Sequence, residues 1–321
     1  MFFSSTVKSE LCSIPLGQSC CIMAELAAFI HINGTMLFLG NNEVGLYFST
    51  ESAPVARRIF KLIKSRYKVQ PEILIRKNQR LKKNNVYIVA VLRPSEARAL
   101  LEDAHVLYKD EMDNTNIFIG IHSALIENEC CRRAYLRATF LGGGYISDPE
   151  KNYHLEVVTH DLEYAQALSS LIARFGLHAK IVERKGNHVL YFKEGENISH
   201  FLNIIGAHQA LLELENIRAC KDMRNNINRI VNCETANLDK TVNAAIRQIE
   251  NIEYIRQSIG LHRLSPQLRE IAELRLKYRD ASLKELGSML VPPIGKSGVN
   301  HRLRKLDEIA DALREKKKGE M

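Results

Sequence analysis

Cysteine is the residue type with the clearest chemical potential in this 321-residue sequence, which contains seven of them. Two pairs are adjacent in the chain, Cys20–Cys21 and Cys130–Cys131. Neighbouring cysteines seldom bridge one another, an odd count leaves one thiol over, and nothing in the sequence indicates secretion. No C-x-x-C or H-x-x-x-H spacing is present, so a zinc site has little support. We therefore predict reduced thiols, no metal ion and no cofactor.

Basic and amide side chains form a second chemically informative group near the end of the sequence. Lys296, Asn300 and Arg304 lie on the outward side of a predicted helix, where Asn300 could contact an adenine, Arg302 or Arg304 a guanine, and Lys296 a phosphate. The alternative is a solvated basic face on an ordinary three-helix subdomain. The complete set of DNA-binding candidates is Lys296, Ser297, Asn300, His301, Arg302, Arg304 and Lys305.

The elements around these candidates have the pattern of a helix-turn-helix, from about Ser282 to Arg314. Ser265–Pro266 begins one amphipathic helix, and a capping box at 282–285 begins a short second helix. The segment VPPIG forms the turn, and Ser297 is the predicted cap of the third helix. A short helix, a tight turn and a basic helix are typical of a major-groove reader. The predicted inner face of the third helix consists of Val299, Leu303, Leu306, Ile309 and Leu313.

Residues 209–258 predict a helical connector, because they contain no proline or glycine and carry apolar residues at helical spacing. Asparagine and arginine are unusually frequent there. They could contact phosphates and bases, or they could cap a break between two helices near 232–237. The candidate nucleic-acid contacts in this segment are Arg224, Asn225, Asn228, Arg229, Asn232 and Lys240.

The first two hundred residues contain an internal repeat with an offset of 110 positions. Six identities fall within fifteen positions, from Cys20 matched with Cys130 to Gly34 matched with Gly144. Each copy continues with segments that predict two strands, a helix and two more strands. In the first copy the helix is predicted at 53–67 and the turns at Asn41–Asn42 and 77–85, and in the second copy a hairpin turn is predicted at Gly186–Asn187. We therefore predict an α+β fold: an N-terminal domain of two αββαββ repeats, at about 20–110 and 128–208, followed by the connector and an all-α C-terminal domain.

The helices LAAFIHING (26–34) and LRATFLGGG (136–144) resemble the signature helix of LAGLIDADG homing endonucleases. Members of that family pair two such helices through small residues and use one acid from each helix to hold divalent metal. Here the acid positions, one before the closing glycine, hold Asn33 and Gly143. A neutral amide is a poor metal ligand and glycine has no side chain, so the resemblance implies the fold without cleavage. We predict that the protein is not an enzyme.

Nearly the whole chain resembles the WhiA family of DNA-binding regulators. The resemblance is most specific at AYLRATFLGGGYISDP (134–149), RNNINRIVNCETANLDKTVNAA (224–245) and SGVNHRLRKLDEIA (297–310). It implies a LAGLIDADG-like domain (1–208), the connector (209–258) and a helix-turn-helix domain (259–321). It also implies a transcriptional regulator involved in cell division, chromosome segregation and, where it occurs, sporulation. Two alternatives on the same fold remain open: an RNA-binding, maturase-like protein and an adaptor for a protein partner.

Bulk composition agrees with a folded DNA-binding protein. Lys and Arg number 45 against 37 Asp and Glu, a net charge of +8 that suits a polyanion. No apolar run reaches the ~20 residues that span a bilayer, and the first residues lack the pattern of a signal peptide. We expect a cytoplasmic, nucleoid-associated protein whose partners are double-stranded DNA and a transcription protein, with no membrane and no small-molecule substrate.

Overall fold

The computed structural model describes residues 3–40, 43–77, 85–112 and 114–319, with side chains of the last helix described up to residue 316. The chain divides into two compact units, Met1–Lys221 and Asp222–Met321, and each unit has its own apolar core. The first unit mixes helices and sheets, and the second is helical in its described part, so the predicted α+β class is confirmed. No helix within the described ranges is long and apolar enough to cross a bilayer.

The first unit contains two copies of one element order, preceded by helix α1 (Phe3–Ser13). The first copy consists of α2 (Ser19–Asn33), β1 (Gly34–Gly40), β2 (Glu43–Thr50), α3 (Ala53–Tyr67), β3 (Glu72–Lys77), β4 (Asn85–Val91) and α4 (Pro94–Asp103). A small hairpin, β5 (Leu107–Lys109) and β6 (Thr115–Ile117), follows it. The second copy consists of α5 (Glu129–Gly143), β7 (Gly144–Ile146), β8 (Leu155–Thr159), α6 (Leu162–Ala173), β9 (Lys180–Arg184), β10 (Asn187–Phe192) and α7 (Gly195–Ile205).

The two four-stranded sheets have equivalent topologies. Their strand orders are β1-β2-β4-β3 and β7-β8-β10-β9, and every pairing is antiparallel. Phe48 pairs with Val89 in the first sheet, and Val157 pairs with Leu190 in the second. The internal duplication is therefore confirmed. Each copy is αββαββα, because α4 and α7 add a closing helix that the sequence analysis did not predict.

Helices α2 and α5 pack against each other more extensively than any other pair of elements. Ala27 and Ala28 of α2 and Ala138 of α5 are fully buried. Small residues let two helix backbones approach closely, which is the role that the sequence predicts for these alanines. The two signature helices therefore form the centre of the first unit.

Several local boundaries differ from the predicted ones for identifiable reasons. The second-copy hairpin was predicted to turn at Gly186–Asn187, but the positive φ angles belong to Lys185 (53°) and Gly186 (74°). Two successive residues with positive φ fit the two-residue hairpin turn. The predicted turn at Asn41–Asn42 and most of the basic turn predicted at 77–85 lie outside the described residues.

A single helix, α8 (His208–Ser258), contains the whole predicted connector. Of the two interpretations left open for its Asn- and Arg-rich part, the capped break near 232–237 is excluded, because α8 is helical through that segment. Near its end, Ile252 and Ile255 are fully buried in the core of the second unit. That core is completed by α9 (Pro266–Lys277), α10 (Leu283–Ser288) and α11 (Lys296–Gly319).

Candidate nucleic-acid interface

The first position that corresponds to a nuclease metal ligand holds Asn33, at the end of α2. Its Nδ2 donates to the carbonyl oxygens of Ser49 at 3.3 Å and Gly142 at 3.4 Å. Its Oδ1 is buried and has no hydrogen-bond donor among the described residues. The amide thus directs its donor group to the backbone and joins the ends of α2 and α5.

The second position holds Gly143, at the end of α5, in a space too small for any side chain. A Cβ on Gly143 would lie 2.7 Å from the carbonyl oxygen of Val158 and 3.0 Å from Cγ2 of Ile32. A Cβ on Gly142 would come within 2.1 Å of the Asn33 Oδ1. An acid at position 143 would require backbone movement, so these residues do not fit the divalent ions of the nuclease family.

The nearest acids after α5 are Asp148 and Glu150, and both are exposed. The Asp148 Oδ1 accepts a hydrogen bond of 3.0 Å from the Glu150 backbone N–H. Asp148 therefore stabilises its own loop, and both acids are solvated surface residues that do not replace the missing ligands.

A buried ion-pair network joins the two copies, and the sequence analysis did not detect it. Glu25 on α2 accepts two hydrogen bonds of 2.7 Å from Arg58 on α3, and a third, of 3.1 Å, from Arg137 on α5. Only 1% of Glu25 and 2% of Arg58 are exposed. Arg137 also donates to the Ile205 carbonyl at 2.8 Å. These charged residues are structural, and a charged residue within an apolar helix run is the one signal that could have indicated them.

The helix-turn-helix geometry begins with a complete capping box on α10. Ser282 accepts from the Glu285 backbone N–H at 3.3 Å, and Glu285 accepts from the Ser282 backbone N–H at 2.7 Å. The hydrogen bond from the Ser282 backbone N–H lowers the pKa of the Glu285 carboxyl. The predicted capping box is therefore confirmed, and it fixes where α10 begins.

The turn between α10 and α11 packs closely on Gly287. The Ile294 N–H donates to the Gly287 carbonyl at 3.0 Å, and a Cβ on Gly287 would lie 2.3 Å from the Ile294 carbonyl oxygen. Only glycine allows this approach, so Gly287 sets the distance between α10 and the start of α11. Helix α11 begins at Lys296, which places Ser297 inside its first turn instead of at the predicted cap.

Most of the predicted DNA-contacting residues lie on one exposed face of α11. Val299, Leu303, Leu306 and Ala310 are buried on its opposite side, with Ile309 and Leu313 partly buried beside them. Because consecutive helix residues are about 100° apart, positions 297, 300, 301 and 304 form one surface. We refer to these four residues as the recognition face. All of its residues are exposed: Ser297, Asn300, His301 and Arg304.

The structure separates Arg302 from the recognition face. Arg302 is half-buried and lies about 200° around the helix from Asn300, next to the core side. Arg304 is the better placed arginine, because its side chain is 75% exposed and its single ion pair, to Glu308 at 3.5 Å, is also exposed. Such a pair contributes little free energy, so it does not prevent Arg304 from contacting DNA. Lys296 and Lys305 are exposed on either side of the recognition face.

The basic run at 314–318 indicates either a frayed end that contacts phosphate nonspecifically or a solvated end, but Arg314 is held by defined contacts. It donates to Asn251 Oδ1 at 2.7 Å and to Asp311 at 3.0 Å, and its guanidinium lies 4.9 Å from the centre of the Tyr254 ring. Asn251 also donates to Asp307 at 2.7 Å. Arg314 thus joins α11 to the end of α8 within the second unit.

The connector candidates are exposed, as a nucleic-acid contact requires. Every side chain from 222 to 243 is exposed on α8, which includes Arg224, Asn225, Asn228, Arg229, Asn232 and Lys240. The same segment exposes apolar side chains at helical spacing. These are Met223, Ile227, Ile230, Val231, Leu238 and Val242, and we refer to them as the α8 apolar stripe.

Comparisons with known proteins agree along the whole chain. Family models match for the WhiA N-terminal LAGLIDADG-like domain at 19–107, the WhiA LAGLIDADG-like domain at 132–224 and the WhiA C-terminal HTH domain at 227–310. A probable cell division protein WhiA of Alkaliphilus metalliredigens is 56% identical, covering 98% of this chain and 99% of that protein. A protein of the same name from Thermoanaerobacter sp. is 52% identical, with 99% of each chain covered.

A solved structure covers the same length. The crystal structure of full-length DUF199/WhiA from T. maritima is 28% identical, with a TM-score of 0.60, and covers 97% of this chain and 99% of that chain. This similarity extends over both units and over the segment that contains α8.

Proposed function

The chain belongs to the WhiA family, and we propose that it is a sequence-specific DNA-binding transcriptional regulator whose α11 reads bases in the major groove. The observation that carries this proposal is the recognition face, because it lies on the third helix of a helix-turn-helix and is free of the core. Asn300 and Arg304 have the groups that pair with adenine and guanine edges, while Lys296 and Lys305 can contact phosphates. Its binding sites would place it on the nucleoid, at genes for cell division and chromosome segregation and, in sporulating cells, for sporulation.

Affinity measurements on single variants test the base-reading role of Arg304. Arg304→Ala should weaken binding to a cognate duplex by about 1–3 kcal/mol, or about 5- to 150-fold. Arg304→Lys is the matched control for charge, since lysine keeps the positive charge but loses the bidentate contact to guanine. The lysine variant should retain binding to random duplexes and lose preference for the cognate sequence. Equal affinity of the wild type and Arg304→Ala for the cognate duplex would exclude the role.

Chromatin immunoprecipitation gives the target genes and tests the same helix in cells. Peaks that share a motif in the wild type should disappear in Asn300→Ala/Arg304→Ala. Peaks that survive in that variant would indicate that α8 or the repeated domain recognises the sequence instead of α11. The exposed Asn and Arg side chains of α8 make it the next segment to substitute, beginning with Asn225→Ala/Asn228→Ala.

We further propose that the protein does not cleave DNA, on the basis of Asn33 and the closed space at Gly143. A nicking assay with supercoiled plasmid and Mg²⁺ tests this, and cleavage by a preparation of this chain would contradict it. Competition between duplex DNA and structured RNA tests the RNA-binding alternative. The major groove of A-form RNA is too narrow for α11, so duplex DNA should compete far better.

A protein partner is the second candidate function, and the exposed α8 apolar stripe favours it. Contiguous apolar surface of this kind is typical of interaction sites. Ile227→Ser/Ile230→Ser should then reduce regulation of a reporter gene in cells while leaving affinity for the cognate duplex unchanged in vitro. Parallel losses in both assays would assign the stripe to DNA binding or to folding instead of to a partner.

A further inference from the structure

The two adjacent cysteine pairs meet in space. The Sγ atoms of Cys20, Cys21, Cys130 and Cys131 all lie within 4.8 Å of one another. Helix α2 begins at Ser19 and α5 at Glu129, so each pair occupies the first turn of a signature helix. The sequence spacing gave no indication of a metal site, because the four thiols come from equivalent positions of two repeats and not from one local motif.

The four sulfur atoms are nearly as close together as the ligands of one tetrahedrally coordinated ion. Zinc–sulfur bonds of about 2.3 Å in a tetrahedron place neighbouring sulfurs about 3.8 Å apart. The Sγ atoms of Cys130 and Cys131 are 3.9 Å apart, so two residues adjacent in sequence already direct their thiols toward a common centre. All seven cysteines of the chain are free thiols in this structure.

The surroundings of the four thiols suit a structural site. Cys21 and Cys131 are buried against the core, whereas Cys20 and Cys130 are exposed and leave a path for an ion to enter. Both α2 and α5 begin here, and neither Gln18 nor Asn128 caps its helix with a side-chain hydrogen bond. The first-turn amides of both helices are therefore left without a side-chain cap beside the four cysteines.

We propose that Cys20, Cys21, Cys130 and Cys131 bind one Zn²⁺ ion that clamps the first turns of the two signature helices. Tetrahedral sets of four thiolates select zinc or iron among the common ions, and a site filled by four protein ligands is structural. Each thiol that becomes a ligand releases its proton to solvent, and no electron is transferred. The site stabilises the pairing of the repeats and is independent of DNA binding by α11.

Cobalt provides the direct test, because Co²⁺ replaces Zn²⁺ in such sites and its spectrum reports the ligands. The full chain, reduced and stripped of metal, should take up one Co²⁺ with intense thiolate-to-metal charge-transfer bands and the visible bands of tetrahedral cobalt. Added Zn²⁺ should abolish these bands. Elemental analysis of the chain as purified should find one zinc per chain.

Two cysteine variants form a matched pair for the same titration. Cys20→Ser/Cys130→Ser removes the two exposed ligands and should lose the cobalt spectrum. Cys220→Ser/Cys233→Ser removes two exposed cysteines of α8 and should keep it. If the first variant fails to fold, the single variant Cys20→Ser decides, because a site with three sulfurs shifts the charge-transfer bands.

Several results would overturn the proposal. Folded, reduced wild type that gives no tetrahedral cobalt spectrum would exclude the site, and iron at one atom per chain would exclude zinc as its ion. A disulfide between α2 and α5 that persists under reducing purification would assign the cluster to redox chemistry. An independent readout is the melting temperature, which Zn²⁺ should raise in the wild type and in Cys220→Ser/Cys233→Ser but not in Cys20→Ser/Cys130→Ser.

Discussion

The buried carboxylate of Glu25 should contribute strongly to the stability of the first unit. This carboxylate is the shared acceptor for two guanidinium groups, and its removal would leave the buried Arg58 and the partly buried Arg137 without that acceptor. Glu25→Gln should therefore destabilise the first unit by about 3–5 kcal/mol. Hydrogen exchange of the α2 and α5 amides measures this loss where it occurs.

The matched control for Glu25 is a partly buried acid whose partner arginine is exposed. Glu96 pairs with Arg93, whose side chain is 82% exposed, and Glu96→Gln should cost less than about 1 kcal/mol. Equal protection of α2 and α5 in the two variants would show that the buried network contributes no more than a surface pair.

The buried imidazole of His31 should make the stability of the first unit depend on pH. Its ring stacks on Tyr164 with centroids 4.7 Å apart, and burial lowers the pKa of His31 from 6.5 to about 4. Between these two pH values the unfolded chain binds a proton that the folded chain does not. The contribution of the neutral His31 to the free energy of unfolding is therefore fully present above pH 6.5. It declines as the pH falls toward 4, by up to about 1.4 kcal/mol per pH unit.

In His31→Gln the free energy of unfolding should fall less steeply with falling pH, because the unfolded chain no longer binds this extra proton. Urea unfolding of the full chain, followed by tyrosine fluorescence at several pH values, measures the slope. His31→Phe keeps an aromatic ring against Tyr164 without a titrating group and should show the same reduced slope. Unchanged slopes in both variants would assign the pH dependence to other groups.

At the scale of the element, Gly287 controls the placement of α11. Gly287→Ala would push its Cβ into the Ile294 carbonyl, so the turn must move at a cost of about 1–3 kcal/mol. We expect a lower melting temperature and weaker binding to cognate DNA. Gly295→Ala is the control, since a Cβ there meets no atom within 4 Å. Equal melting temperatures for the two variants would contradict this account of the turn.

Elements with a strong periodic pattern could be predicted from the sequence, and those without one could not. Helix α3 was predicted at its observed bounds because Val55, Ile59 and Leu62 repeat at helical spacing and all are buried. The alternative of a break in α8 relied on asparagine as a capping residue, and the long helix continues through these asparagines. Strand β7 has three residues, too few to show an alternating pattern, so its prediction rested only on the outline shared with the first copy.

The candidate sites, too, could be predicted only in part from the sequence. The exposed face of α11 could be predicted because its apolar residues define the opposite side. Its exact membership could not, since the exclusion of Arg302 depends on how α11 packs. The cysteine cluster could not be predicted from the spacing of cysteines along the chain, because only the packing of α2 on α5 brings its two halves together.

At the scale of the whole molecule, the net charge of +8 predicts that DNA binding weakens with salt. Lys296→Gln should remove one phosphate contact, reducing affinity for every duplex and lowering the salt slope by about 1. Asn300→Ala should instead lower affinity for the cognate duplex and leave the slope unchanged. Titrations of both variants across a range of salt concentrations separate the two roles, and identical slopes for the wild type and Lys296→Gln would remove Lys296 from the interface.

The network at Glu25 has a consequence for how the duplicated halves recognise each other. With the repeat offset of 110, Glu25 corresponds to Tyr135, and its partner Arg137 corresponds to Ala27. If two first copies from different chains paired, each Glu25 would meet an alanine where it now meets a guanidinium. The network therefore favours pairing of a first copy with a second copy over pairing of two first copies.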